Sequence, residues 1–329
     1  MPKLFSGLAA LALSFAVTAA ALPSPVSASF FVPYDLDVFS RTLAAGAVVF
    51  QKTPYVNREN NLEASGSYPL VLGMFDASFQ TLVNNRVAAV IKAETAAAGA
   101  DRALSLSFSY DIKTYRTYYS VIFYFTIVGA SAKNKVDSIV FDTGSSAFLT
   151  ITDCLGPNAL QIADSVISKA ILADPDKYNA DTADIGNDQT FYIDNGMVYI
   201  SYDNNEFGVD MSSVTDYTLK SGSYIIKDAY SINMIPLREV CEGLNFTVTW
   251  DPLPKSAAVS KGAFASSVTI DSNSYTKNQN SAKLEAPPEL TNGQTYVPIS
   301  YFDEILGAFY TINDDGSIVF SVYDESARS

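Results

Sequence analysis

The run Ile139-Val140-Phe141-Asp142-Thr143-Gly144-Ser145-Ser146 suggests acid–base chemistry by its spacing, because an apolar strand delivers a carboxylate into a tight, hydroxyl-rich turn. Such a carboxylate activates water for hydrolysis when a second one lies close enough to share a proton with it. A single chain therefore needs a second apolar-Asp-Thr/Ser-Gly segment. None is present: Asp194-Asn195-Gly196 and Asp315-Gly316-Ser317 both lack a Thr or Ser between Asp and Gly. The sequence reads Asp142 as a polar turn leaving a buried strand, and an exported aspartic-type hydrolase using Asp142 stands as the alternative.

Other chemistries are excluded more simply. The chain has no histidine, which removes the commonest general base and transition-metal ligand and rules out Ser-His-Asp and Cys-His couples. Its two cysteines, Cys154 and Cys241, sit where a small apolar residue would serve and are read as free thiols. Asn313-Asp314-Asp315-Gly316 resembles part of a calcium loop. Aligning Gly316 with the invariant glycine, however, puts Thr311 at the first ligand position and Val322 where a bidentate Glu belongs, so a hairpin turn is expected. Asp174, Asp176, Asp181, Asp184 and Asp188 are read as a solvated acidic loop. No metal and no cofactor is expected.

With 35 acidic and 21 basic residues the net charge is −14, a surface that repels nucleic acid and attracts a cationic partner. Tyr and Phe number 20 each. Tyr115, Tyr118, Tyr119 and Tyr124 are the densest group, suited to stacking on sugars or, at alternating strand positions, to cross-strand packing.

The elements that must position these residues fall into two parts. Lys3, the apolar stretch Leu8 to Leu22 and Val26-Ser27-Ala28 before Ser29 read as an export signal over residues 1–28, with no membrane span after its removal. Residues 29–219 are expected to form an α+β domain, an antiparallel sheet carrying two helices. Its helices are predicted at Asp76 to Ala98, capped near Asp76, and at Asn158 to Ala173. Its strands are predicted at Ala47 to Phe50, Tyr68 to Met74, Ala103 to Tyr110, Tyr118 to Val128 and Asp137 to Phe141. A polar stretch lies at Asn57 to Ser67, and a hairpin turns at Asp194-Asn195-Gly196 between Phe191-Tyr192-Ile193 and Met197 to Tyr202. Lys220 to Ser223 marks the boundary.

Beyond it, residues 223–322 are expected to be a smaller β-rich domain, with a tail at 323–329. Met234 to Phe246 is echoed by Tyr296 to Ala308, each an apolar-Pro-apolar strand end, a short helix and a following strand. Strands are predicted between the copies at Ser267 to Ile270 and Lys283 to Ala286.

Three resemblances accompany these patterns. The Asp142 turn resembles the signature of pepsin-like aspartic proteases, without its second copy. Pro236-Leu237-Arg238, Val248-Thr249-Trp250-Asp251, Pro287-Pro288, Tyr296-Val297-Pro298 and Leu306-Gly307 resemble the copper amine oxidase N-terminal-like, or stalk, domain, which is not the copper-bearing part of that oxidase. Tyr68-Pro69-Leu70-Val71-Leu72-Gly73, Phe141-Asp142 through Thr150-Ile151-Thr152-Asp153, and Phe191-Tyr192 to Tyr202 are similar to the exported domain of lysozyme-sensing anti-sigma factors and peptidoglycan deacetylases. That family's Gly-Gly-Ala-His loop reads Gly129-Ala130-Ser131-Ala132 here, and its Tyr-Glu-Ile segment reads Asn205-Glu206-Phe207. The last two together imply a non-catalytic, secreted or surface-displayed binding protein of the bacterial envelope. The implied partner is peptidoglycan or a basic muramidase such as lysozyme, and the contact face is placed around Tyr199, Tyr202 and Glu206.

Overall fold

The computed structural model describes residues 47–59, 61–178, 184–227 and 231–324. The expected export signal, Asp181 and most of the expected tail lie outside the described residues.

Strands β1 (Val49–Glu59) and β2 (Leu62–Leu72) form one long hairpin, paired from Val49↔Leu72 to Glu59↔Leu62. The stretch noted as polar is its distal half, where polar residues alternate with the buried Leu62 and Ala64. Helix α1 (Ala77–Ala100) begins where Asp76 accepts a hydrogen bond from the Phe79 amide at 2.9 Å, and buries Phe79, Val83, Val87 and Ile91. Strands β3 (Ser105–Tyr115), β4 (Tyr118–Val128), β5 (Ala132–Asp142) and β6 (Ala147–Phe148) complete a six-stranded sheet in the order β1-β2-β3-β4-β5-β6. This sheet corrects the antiparallel expectation, because β2 and β3 pair in parallel over Glu63–Gly66 and Ser105–Phe108. The 24 residues of α1 carry the chain back to the end where β2 started, so the next strand must run in the same direction.

The pleat gives this sheet two apolar faces. Leu106, Phe108, Val121, Phe123, Phe125, Ile139 and Phe141 pack under α1. Val140, Tyr115 and Tyr118 point the other way, into a second core. That core is built by α2 (Ile151–Leu155), α3 (Ala159–Ala173) and a three-stranded sheet of β7 (Phe191–Asp194), β8 (Met197–Tyr202) and β9 (Asn205–Asp210). Three helices therefore replace the two expected. Thr150 and Asp153 close a capping box on α2, and Gly156, at φ +84°, with Pro157 separates it from α3.

The remaining elements are β10 (Val214–Leu219), β11 (Ile225–Lys227), β12 (Ile232–Pro236), α4 (Leu237–Gly243), β13 (Thr247–Asp251), β14 (Ser256–Lys261), β15 (Phe264–Thr269), β16 (Tyr275–Lys277), β17 (Asn280–Ala282), β18 (Glu289–Thr291), β19 (Gln294–Pro298), a π-helical turn (Tyr301–Leu306), β20 (Phe309–Ile312) and β21 (Ile318–Tyr323). Strands β12 and β19 pair antiparallel as Met234↔Pro298, Ile235↔Val297 and Pro236↔Tyr296. Leu237, Val240 and Cys241 from α4 meet Tyr301, Phe302 and Ile305 from the π-helical turn in one core. Strand β10, which precedes the expected boundary, is hydrogen-bonded to β21 from Val214↔Tyr323 to Leu219↔Ile318.

The strand expected at Lys283 to Ala286 is absent. There the Asn273 side chain donates to the Leu284 carbonyl at 2.8 Å and accepts from its amide at 3.2 Å, and the Tyr275 hydroxyl donates to the Ala286 carbonyl at 2.7 Å. Side chains thus satisfy backbone groups that a ladder would have paired.

Candidate functional site

The three-stranded sheet presents the most distinctive surface of the described chain. Asn195 (φ +50°) and Gly196 (φ +82°) make the β7–β8 turn, and both adopt the left-handed conformation this tight turn demands. Its register sets Tyr192 opposite Tyr199, and β9 sets Gly208 opposite Tyr199 and Glu206 opposite Ser201. Alternation then sends Ile193, Val198, Ile200, Phe207 and Val209 into the core against α3, while Tyr192, Tyr199 and Glu206 share the other face.

On that face the Tyr192 and Tyr199 rings stack, with centroids 5.0 Å apart and planes inclined by 17°. The Tyr192 hydroxyl donates to Glu206 Oε2 at 2.9 Å. Burial and the Glu206 carboxylate both push the Tyr192 pKa far above the usual phenol range. Tyr199 lies over Gly208, where an added Cβ would come within 3.3 Å of Tyr199 Cε1 and 2.9 Å of Met197 Cε. Tyr124 of β4 belongs to the same surroundings: its pKa is raised by burial, then by the Asp111 and Glu206 carboxylates, against the opposing pull of Lys113. Lys113 Nζ lies 3.1 Å from Asp111 Oδ2 and 3.8 Å from Asp194 Oδ2. Tyr192 is itself buried, so what reaches solvent is the half-buried Tyr199 and the exposed Glu206, set among carboxylates.

Of the residues the sequence put in this face, Tyr199 and Glu206 are brought together. Tyr202 is not: it lies two residues from Ile200, on the opposite side of β8, and packs against the α3 core. Tyr192 and Tyr124 were missed, although the Asn-Gly turn and the alternating pattern already fix Tyr192 opposite Tyr199. The tyrosine cluster at 115–124 disperses for the same reason. Tyr119 stacks on Phe141 at 5.6 Å on the α1 side, Tyr115 and Tyr118 turn to the α3 core, and Tyr124 is 40% exposed.

Asp142 ends β5, and its carboxylate staples the following turn. Oδ1 accepts from the Gly144 amide at 2.9 Å, and Oδ2 accepts from the Ser145 amide at 3.0 Å and the Ser145 hydroxyl at 2.7 Å. Burial pushes its pKa up, but hydrogen bonds from Thr117, Ser145 and Gly144 outweigh that and leave it below the usual carboxylate value. A proton-sharing dyad needs a second carboxylate beside the first, and the causes acting on Asp142 are burial and the donors Thr117, Ser145 and Gly144, with no carboxylate among them.

Among the described residues, no group of three or more Cys, Asp or Glu side chains is placed to hold a metal ion. Asp315 Oδ1 accepts from the Ser317 amide at 2.8 Å and hydroxyl at 2.7 Å, closing the hairpin between β20 and β21. Both cysteines are free thiols, Cys241 buried and Cys154 partly so. Burial, and then the neighbouring Asp153, push the Cys154 pKa up to about 12.

The chain is thus an α+β protein whose surface feature is aromatic and acidic. Residues 225–320 match the model of the copper amine oxidase N-terminal domain, in agreement with the resemblance at 223–322. A protein described as a protease inhibitor, from Brevibacillus choshinensis, is 41% identical over 86 residues, 26% of this chain and 26% of that protein. The chain therefore spans about a quarter of that relative's length. Among solved structures, a DUF3298 family protein from Pseudomonas aeruginosa is similar with a TM-score of 0.33 and 12% identity, covering 48% of this chain and 82% of that one. A member of the same family from Bacteroides fragilis gives 0.37 and 12%, covering 51% of this chain and 92% of that one.

Proposed function

We propose that this chain is a non-catalytic, secreted or surface-displayed binding protein of the bacterial envelope, and that its Tyr192–Tyr199–Glu206 face receives a basic muramidase such as lysozyme. The observation that carries the reading is the half-buried Tyr199 ring, stacked on the buried Tyr192 that bonds the exposed Glu206, and set near Asp111 and Asp194. Large rings with few rotatable bonds are efficient protein-contact anchors, and their neighbouring carboxylates steer a cationic partner. The net charge of −14 acts in the same direction at longer range. The module at 225–320, built on a duplicated strand, helical turn and strand, serves in this reading to present that face away from the surface.

Titration with lysozyme at low and at physiological salt tests the reading, beside a pull-down from cell-wall extract that tests peptidoglycan as the partner. Binding should weaken with salt, and Tyr199→Ala should reduce affinity about 30-fold, the scale of an interface anchor. Absence of binding to either partner at low salt sinks the proposal. The relative described as a protease inhibitor favours a second reading, in which the received protein is a protease. Saturable inhibition of a protease panel, lost in Tyr199→Ala, would select it.

A further inference from the structure

A second surface, on the far side of α3 from the tyrosine face, has a different composition. Gln161, Asp164 and Ser165 form a polar stripe on α3 at helical spacing, beside the buried Ile162, Ala163 and Ile167. Facing them across a cleft of about 590 Å³ are Asp303 of the π-helical turn and Phe309 and Tyr310 of β20. The two walls are fixed relative to each other. Asn158, just before α3, is 1% exposed, donates to the Val319 carbonyl at 3.0 Å and to Ser321 Oγ at 2.8 Å, and accepts from Thr311 Oγ1 at 2.7 Å.

The lining carries two carboxylates, neutral acceptors and two half-buried rings, and neither Lys nor Arg. Lys169 stands one turn along α3 from Ser165, outside that lining. Asp164 Oδ1 accepts from the Ile185 amide at 2.9 Å, which fixes the carboxylate at the wall. Its pKa is raised by burial, with the Ile185 amide pulling it down and Asp184 pushing it further up. Tyr310 is raised likewise by burial, then by Asp303 and Glu285. Burial is the larger cause of both shifts, and the neighbouring carboxylates add to it in the same direction.

We propose that this cleft receives arginine side chains of a basic polypeptide. A guanidinium supplies N–H donors for Asp164 and Asp303 and a flat face for Phe309 or Tyr310, a combination that lysine's compact ammonium matches less well. The volume suits a short peptide segment better than a single ion. The site is separate from the Tyr192 face, so it can take arginine even if no muramidase binds there.

The experiment is calorimetric titration of the full chain with tri-arginine, compared with tri-lysine and with a neutral chito-oligosaccharide. Asp164→Asn keeps the oxygen that accepts from Ile185. Together with Asp303→Asn it should weaken tri-arginine binding about tenfold, the loss expected for two partly exposed ion pairs. Neutralising two exposed carboxylates elsewhere, Asp101→Asn with Asp251→Asn, should weaken it less than about twofold, which calibrates the effect of net charge alone. Asp303 is exposed, so Asp303→Asn alone gives the same readout, about threefold, should the double variant fold poorly. Equal losses in the two double variants, no loss in the cleft variant, or oligosaccharide binding as tight as that of tri-arginine would overturn the proposal.

Discussion

Replacing Asn158 should loosen the hold of the C-terminal sheet on α3. No side-chain cap bond joins Asn158 to its own helix, so the cost is tertiary rather than helical. In Asn158→Ala the Val319 carbonyl and Thr311 Oγ1 lose the contacts they make at 3.0 and 2.7 Å. Ser321 Oγ loses one at 2.8 Å but keeps Asp216 Oδ1 as a partner at 2.5 Å. Thr311 is only part-buried and can turn to water, and Val319 keeps its ladder pairing with Thr311 in the central strand β21. Three lost bonds at ~0.5–1 kcal/mol each give a total near 2 kcal/mol. Asn158→Asp keeps the shape but cannot donate, and buries a charge, so it should cost more than the alanine variant. Urea unfolding followed by far-UV circular dichroism and by fluorescence of Trp250, the single tryptophan, measures both quantities. Dichroism averages over all elements and Trp250 reports β13. The two transitions should coincide in the parent chain and separate in the variants. A loss below about 1 kcal/mol with coincident transitions would refute the argument that this network joins the two regions.

Two further outcomes follow from the same geometry. Gly243 is the last residue of α4, and a Cβ there would fall 2.0 Å from Tyr217 Cδ2 and 2.4 Å from Cγ. Gly243→Ala should therefore cost ~1–3 kcal/mol in thermal melts, and adding Tyr217→Ala should recover part of that loss rather than sum with it. Alkaline pH should destabilise the fold through Cys154 and Tyr217. Both are pushed up to about 12 in the folded chain, from ordinary values of 9.0 and 10.0, Cys154 by burial and Asp153, Tyr217 by burial and its bond to Glu239. The unfolded chain releases these protons first, so their contribution is intact below about pH 9 and is lost as pH rises toward 12. The urea midpoint should fall as pH rises from about 9 toward 12, less steeply in Cys154→Ala, and a midpoint that rises over that range contradicts the assignment.

Local signals in the sequence carried much of this architecture. The Phe79, Val83, Val87, Ile91 stripe and the Asp76 cap define α1 without reference to the rest of the chain. Tyr118 to Val128 has the observed bounds of β4 because its β-branched and aromatic content is broken only by Ser120. The failures were non-local. The parallel pairing of β2 with β3 depends on where α1 delivers the chain, and no residue pattern within either strand encodes it. Strand β10 is short and mixed, and only its partner β21, about a hundred residues away, gives it a place at the edge of a sheet. At 283–286 the apolar Leu284 and Ala286 suggested a ladder, but Asn273 and Tyr275 satisfy the backbone instead. The candidate face was half legible. Tyr199 and Glu206 lie on two strands in a readable register, while Tyr124 reaches them from β4, across a gap in sequence that only the layered packing closes.

The titrating groups supply an argument about catalysis that does not depend on any single motif. General acid–base work calls for groups moved toward neutral pH. Tyr192, Tyr275, Tyr301, Cys154 and Cys241, whose displacements are largest among the described residues, all move away from neutrality because burial disfavours their ionised forms. Asp76, Asp142 and Asp315 move the other way, held ionised by turn and cap hydrogen bonds, and so fixed in charge at any ordinary pH. Asp137 and Asp164 are the carboxylates pushed upward. Asp137 feels burial first, with Lys135 and Arg86 opposing Glu94, so its charge is balanced within the seam between α1 and β5. Asp164 feels burial and Asp184, with no cation among the causes, and it is the one that faces an open cleft. That open carboxylate wall is where the proposed arginine side chain would supply the opposite charge.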